Sequence, residues 1–167
     1  MLSLQHWIDT YGLEDYREWR DFYVDDIEQQ DNRMIFREFY FKDMQGHLLG
    51  YMKFNIEKND KDPCVYIIDT TSSTGYKHFS PESQDMYKRN GYVPGNDKKW
   101  FGKIAFSYVL AYLKEQYPKV RIVLVCAYKQ REPKVWDLID RVSASTKWLI
   151  TNISWGNDMH MATIFLR

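Results

Sequence analysis

Apolar residues fall into blocks along the chain, and their period changes from block to block. Between residues 4 and 30, Leu4, Trp7, Ile8 and Tyr11 share a helical face, and Gly12 interrupts it. Tyr16, Trp19, Tyr23 and Ile27 then recur at three or four residues among acids and arginines. This spacing predicts two amphipathic helices, or one broken at Gly12. Beyond Arg33 the period becomes two. Ile35, Arg37, Phe39 and Phe41 alternate with Phe36, Glu38, Tyr40 and Lys42, a strand pattern rich in aromatic side chains. MQGH reads as a turn in which Gly46 can take a positive φ, so Leu48 to Ile56 returns as the second strand of an antiparallel hairpin. The polar loop EKNDKDP, closed by Pro63, leads into CVYIIDTT, which is apolar on both faces and therefore predicted to be central in its sheet.

Residues 71–99 break the pattern. TSSTGYKHFSPESQDMYKRNGYVPGNDKK is long, polar and rich in Ser, Gly and Pro, and segments of this kind inside compact domains are often functional. Within it, SPESQDMYKRN predicts a short helix capped by Ser80 with Pro81 at the first position. A longer helix follows from Phe101 to about Tyr117, with Phe101, Ala105, Tyr108 and Tyr112 in one row and Ile104, Ala111 and Leu113 widening it. VRIVLVCA is a buried strand. KQREPKVWDLIDRVS is a helix with Val135, Leu138, Ile139 and Val142 inward, and TKWLITNISW and MHMATIFL form a closing hairpin around WGND. No internal repeat or low-complexity tract divides the chain, so residues 1–167 are expected to form a single α+β domain with an insertion at about 71–99.

Charge narrows the possible partners. Lys plus Arg and Asp plus Glu both number 23, so the net charge is zero. A nucleic-acid protein needs a basic face, so no nucleic-acid partner is expected. No apolar run approaches the length of a membrane span, and no membrane partner is expected. MLSLQHWIDTYGLEDY lacks the basic and apolar regions of a secretory signal. Cys64 and Cys126 sit in apolar segments without metal-ligand or CxxC spacing, as expected for thiols in a reducing, cytoplasmic compartment. The four histidines likewise lack metal-site spacing. One local charge pattern is unusual. Lys98 and Lys99 precede the helix at Phe101, where the helix dipole already favours anions. Either an anion binds there or the lysines are simply solvated.

The order of elements resembles that of the GNAT superfamily of acyl-CoA-dependent N-acyltransferases from about Asp21 to Arg167. HLLGYMKFNI resembles that family's second hairpin strand, and KWFGKIAFSYVLAYLKEQYPKVRIVLV its cofactor-binding helix and following strand. The family's loop motif is Gln or Arg, two residues, Gly, one residue, then Gly or Ala. It aligns with Lys99, Trp100, Phe101, Gly102, Lys103 and Ile104, and only Gly102 matches. Lys99 would supply the donor, and Ile104 stands where the family has a small residue. The resemblance implies a mixed, mainly antiparallel sheet flanked by helices, with acetyl-CoA as cosubstrate and an amine as acceptor. It leaves open a homodimer.

The same resemblance assigns roles to residues. The pyrophosphate of acyl-CoA would meet Lys98, Lys99, Gly102 and Lys103. The edge of the central strand at Ile68 and Thr70 would hold the pantetheine arm. Asp69 would be the general base, with Glu38 a weaker choice. Many members carry a Tyr acid on the helix after the fifth strand; this region holds Trp136 and Asp137, and Tyr128 is the nearest phenol. Asp69 is also read as a turn cap, Tyr128 as a half-buried aromatic, His78 as a loop residue that touches substrate or has no role, and His160 as structural. The alternative to an N-acetyltransferase is a catalytically inactive GNAT-like domain that binds a protein partner.

Overall fold

The computed structural model describes residues 22–59, 61–95, 101–126, 132–146, 149–155 and 161–167. Four strands come first: β1 (Phe22–Gln30), β2 (Met34–Asp43), β3 (Leu48–Glu57) and β4 (Cys64–Ser72). A 3₁₀ helix (Ser73–His78) and α1 (Pro81–Arg89) follow. The chain then runs through α2 (Phe101–Gln116), β5 (Ile122–Cys126), α3 (Glu132–Ser145), β6 (Ile150–Trp155) and β7 (Met161–Leu166). The strands form one sheet in the order β1-β2-β3-β4-β5-β7-β6. Every neighbouring pair is antiparallel except β4 and β5, which run parallel. The result is a mixed α/β fold with a mainly antiparallel seven-stranded sheet flanked by helices, the architecture expected of a GNAT-like chain.

One element differs from expectation. Residues 22–30 are a strand and not the end of a second amphipathic helix. Phe22 pairs with Asp43 and the register holds residue by residue to Gln30 and Ile35. The cause lies in the spacing of Tyr23 and Ile27. Four residues apart fits one helical face and equally one face of a strand. In the strand, Phe22 turns inward while Tyr23 and Ile27 stay exposed. Leu4, Trp7, Ile8, Tyr11, Tyr16 and Trp19 lie outside the described residues, as does His160.

The core occupies one face of the sheet, under α2 and α3. Phe39 and Phe41 of β2, Met52, Phe54 and Ile56 of β3, and Val65 and Ile67 of β4 supply it at the expected period of two. Val123, Val125, Ala162 and Ile164 extend it across β5 and β7. The rings meet edge-on, with Phe39 and Phe54 centroids 5.0 Å apart, and burying each such Phe contributes about 2 kcal/mol. Nearly all of α2 from Phe101 to Leu113 is buried; only Gly102 and Lys103 in its first turn are partly exposed. A helix apolar on every side must be covered on more than one side. The sheet and α3, through Ile139 and Val142, provide that cover.

The other face carries a second, smaller cluster. Tyr40, Leu48, Tyr51 and Tyr87 are buried there, with Tyr76, Phe79, Met86 and Tyr92 packed against them. The segment after β4 is therefore an ordered cap on the sheet. Its helix α1 begins as the sequence predicts: the Ser83 N–H donates to the Ser80 hydroxyl at 3.2 Å, and Pro81 occupies the first turn. The Tyr87 hydroxyl reaches Thr71 Oγ1 at 2.8 Å and ties α1 to β4.

Candidate functional site: a cleft at the open edge of β4

The site begins with an irregularity in β4. Phe54 pairs with Ile67, but Lys53 pairs with Asp69, so Ile68 is an extra residue that bulges from the ladder. Parallel pairing between β4 and β5 ends at the same place, with Ile67 opposite Val125. Beyond it β5 stays with β7, out to Cys126 opposite Met161. Among the described residues, no strand pairs with the β5-facing edge of β4 from Ile68 to Ser72.

A cleft of about 710 Å³ opens there. Its walls are the end of β4, the 3₁₀ helix, the start of α2 and the first half of α3. Thr70, Gly102 and Lys103, three of the residues singled out from sequence, line it together. The directions follow from register. Thr70 is opposite Met52 and Ser72 is opposite Gly50, so both hydroxyl side chains face the α2 side of the sheet. Asp69 is opposite Lys53, on the other face. Ile68 is 38% exposed at the bulge and does not line the cleft. Lys98, Lys99, Trp100 and Tyr128 lie outside the described residues.

The start of α2 is seated by a gap in β3. Phe101 is fully buried, with its ring over Gly50 and beside Phe22 and Phe41 at centroid distances of 5.6 Å and 5.5 Å. The next residues, Gly102 and Lys103, are thereby fixed at the rim. A β-carbon on Gly102 would touch only Leu138 methyl groups, at 3.7 Å and 3.8 Å. Packing within the protein does not require a bare backbone there, so the missing side chain leaves room in the cleft. Ile104 is 2% exposed and belongs to the core. It does not line the cleft.

The α3 wall was only partly legible. Ile139 and Val142 are buried as the period predicts, whereas Val135 and Leu138 are half-buried and line the cleft. Arg141 lines it too and pairs with Asp137 at 3.0 Å. The i, i+4 spacing of that pair was the available signal. His78 joins from the 3₁₀ helix.

The opposite face of β4 has a different character. The Tyr51 hydroxyl donates to Glu38 Oε1 at 2.7 Å, and Tyr40 lies against Tyr51 with centroids 5.1 Å apart. Burial, then the Glu38 carboxylate, push the Tyr51 phenol well above its ordinary range. The same causes raise Tyr40, opposed by Arg89. Glu38, the weaker base candidate, thus accepts a hydrogen bond from Tyr51. Cys64 is a half-buried free thiol whose pKa rises chiefly through burial. Among the described residues no three His, Cys, Asp or Glu side chains converge on a metal site, and no described helix is long and apolar enough to cross a membrane.

No family model matches the chain, and no curated protein matches it. Among solved structures, the chain is similar to mutant forms of the spermidine/spermine N-acetyltransferase SpeG from Vibrio cholerae. Identity is 17%, 82% of this chain and 67% of that one are covered, and the TM-score is 0.36. It is also similar to a chimera of the spermidine N-acetyltransferase SpeG from Vibrio cholerae and hSSAT. Here identity is 15%, coverage 99% and 75%, and the TM-score 0.36.

Proposed function

We propose that this domain binds acyl-CoA in the cleft beside β4 and transfers an acetyl group to an amine. One observation carries the reading: the edge of β4 is released at the Ile68 bulge where the start of α2 meets the same cleft. A strand edge that no other strand covers among the described residues offers N–H and C=O groups to the amides of a pantetheine arm, here around Ile68 and Thr70. The first turn of a helix offers N–H groups to a diphosphate, with Gly102 leaving access and Lys103 adding charge. On this reading Lys98 and Lys99, just before α2, serve the same phosphates, which answers why cations precede a helix start.

The chemistry places demands on both faces of β4. A protonated amine must lose one proton before its nitrogen attacks the thioester carbonyl. When the carbon–sulfur bond breaks, the second nitrogen proton passes to the departing thiolate. Asp69 is assigned the first proton and Tyr128 the second. Because Asp69 and Glu38 share the face away from the cleft, the amine approaches from that face while the cofactor lies on the other. The open edge of β4 is the gap across which they meet. On this reading the protein works in the cytoplasm, on the acetyl-CoA pool.

Isothermal titration with acetyl-CoA and with CoA tests the reading. Micromolar binding that weakens about tenfold in Lys103→Glu supports it and justifies an acceptor screen. Spermidine, the substrate named for both similar solved structures, belongs in that screen. Absence of heat and of a thermal shift at millimolar acetyl-CoA overturns it in favour of a partner-binding module.

A further inference from the structure

The cleft has a wall that the element order alone does not supply. The 3₁₀ helix Ser73–His78 contributes Thr74, Gly75 and His78 to the lining, with Phe79 directly after it. This wall is held firmly. The Ser72 and Thr74 hydroxyls lie 3.1 Å apart. The Phe79 N–H donates to the Tyr76 carbonyl at 3.1 Å, and the Gln84 side chain donates to the same oxygen at 3.0 Å. Tyr76 stacks on Tyr92 with centroids 4.0 Å apart. Phe79 packs on Tyr87 at 5.0 Å, and Tyr87 is bonded to Thr71 of β4. His78 therefore lines the cleft from a wall of anchored aromatics, and Lys103 of α2 and Arg141 of α3 line the same cleft.

We propose that His78 is a phosphate-binding residue of this cleft and that its protonation sets the affinity for CoA. The inference rests on the acyl-CoA reading above. Among the described residues, the charged side chains that line the cleft with His78 are Lys103 of α2 and the Asp137–Arg141 pair of α3; β4 contributes the hydroxyls of Thr70 and Ser72, and Lys77 is the charged neighbour on its own helix. A protonated imidazole adds one positive charge to these described lining residues, Lys103, Arg141 and Asp137. A CoA phosphate oxygen is an acceptor that gains most from the charged donor. Imidazole is the side chain whose charge changes in the neutral range. Binding and protonation are then reciprocally linked: phosphate favours imidazolium, and imidazolium favours phosphate.

The test is titration of the full chain with acetyl-CoA between pH 8.0 and pH 6.0, for the native protein, His78→Gln and Lys77→Gln. A coupling of one pKa unit tightens native binding by about sixfold over that interval beyond the change seen in His78→Gln. Lys77→Gln is expected to behave as the native protein. The glutamine variant also corrects for protonation of the ligand's own phosphate. Repeating the series with 3′-dephospho-CoA identifies the contact. Loss of the difference assigns His78 to the 3′-phosphate; its persistence assigns His78 to the diphosphate. Equal pH dependence in the native protein and His78→Gln overturns this inference and leaves the acyl-CoA reading standing. Absence of acetyl-CoA binding at every pH overturns both. His78 is exposed, so the variant should fold; NMR gives a check without mutation, since imidazole signals of His78 that do not move at saturating acetyl-CoA also overturn the inference.

Discussion

Gly50 of β3 and Phe101 of α2 occupy one another's space. A β-carbon on Gly50 would lie 2.7 Å and 2.8 Å from two carbons of the Phe101 ring and 3.2 Å from the Thr71 carbonyl oxygen. The ring cannot swing aside, because it is fully buried between Phe22 and Phe41. Gly50→Ala should therefore cost about 1–3 kcal/mol, the usual penalty for an overpacked core. Thermal denaturation would show this as a fall of several degrees. In Gly50→Ala/Phe101→Leu the second change should cost less than it does alone. Strict additivity of the two would show that they do not share this space.

Gly102, one residue further on, should behave in the opposite way. Its β-carbon position is in ordinary contact with Leu138 and nothing closer. Gly102→Ala should leave stability unchanged or raise it by up to about 1 kcal/mol, as removal of a helical glycine does. Gly102→Leu should keep the fold and weaken acetyl-CoA binding at least tenfold by filling the cleft. Unchanged affinity in the leucine variant would remove Gly102 from the binding surface.

The contrast between these glycines marks how far the sequence could be read. Strands β2 to β5 and helices α1 and α2 were legible because period, turn residues and caps agreed there. Tyr23 and Ile27 misled because their spacing suits both helix and strand, and pairing with β2 decided between them. In β4, a segment apolar on both faces hid the bulge at Ile68. A bulge changes which face each later residue takes, so the separation of Thr70 from Asp69 across the sheet relative to the core residues required the register. Gly102 and Lys103, singled out as cofactor contacts, line the cleft, whereas Arg141 was overlooked on a helix read only for its apolar face. The role assigned to Tyr128 rests on resemblance, and that of Lys98 and Lys99 on resemblance and on their place before a helix start.

Alkaline pH should destabilise the fold. Burial is the first cause of the raised phenols of Tyr51 and Tyr112, and the Glu57 hydrogen bond is the first cause for Tyr66. A phenol whose pKa is raised by folding contributes stability that is complete below its unfolded value of about 10. That stability is lost as pH rises through the folded pKa, because the unfolded chain ionises first. The melting temperature should thus hold up to about pH 9.5 and then fall. Tyr51→Phe should lower stability at neutral pH, where the Glu38 hydrogen bond is lost, and should flatten the alkaline decline. An identical slope in that variant would show that Tyr51 does not contribute to it.

Arg37 joins the edge of the sheet to the end of α2. Its guanidinium pairs with Asp26 and, at 3.2 Å, with Glu28 of β1. It also donates to the Tyr117 hydroxyl at 3.1 Å and lies 5.5 Å from the centre of the Tyr112 ring. Burial opposes the charge, but the Tyr117 bond and the surrounding rings and Asp26 outweigh it, and the pKa is raised further. Only 12% of the Arg37 side chain is exposed, so removing it should cost about 2–4 kcal/mol in urea denaturation. Arg37→Lys keeps the charge but loses the planar fork that reaches β1 and Tyr117 together, and should recover less than half of that cost. Arg37→Met keeps the stem against Tyr112 and leaves Asp26 and Glu28 able to reach water. If methionine matches arginine, the residue acts through packing, and the ion pairs add nothing to the joint. If lysine matches it, charge alone suffices and the fork geometry is irrelevant.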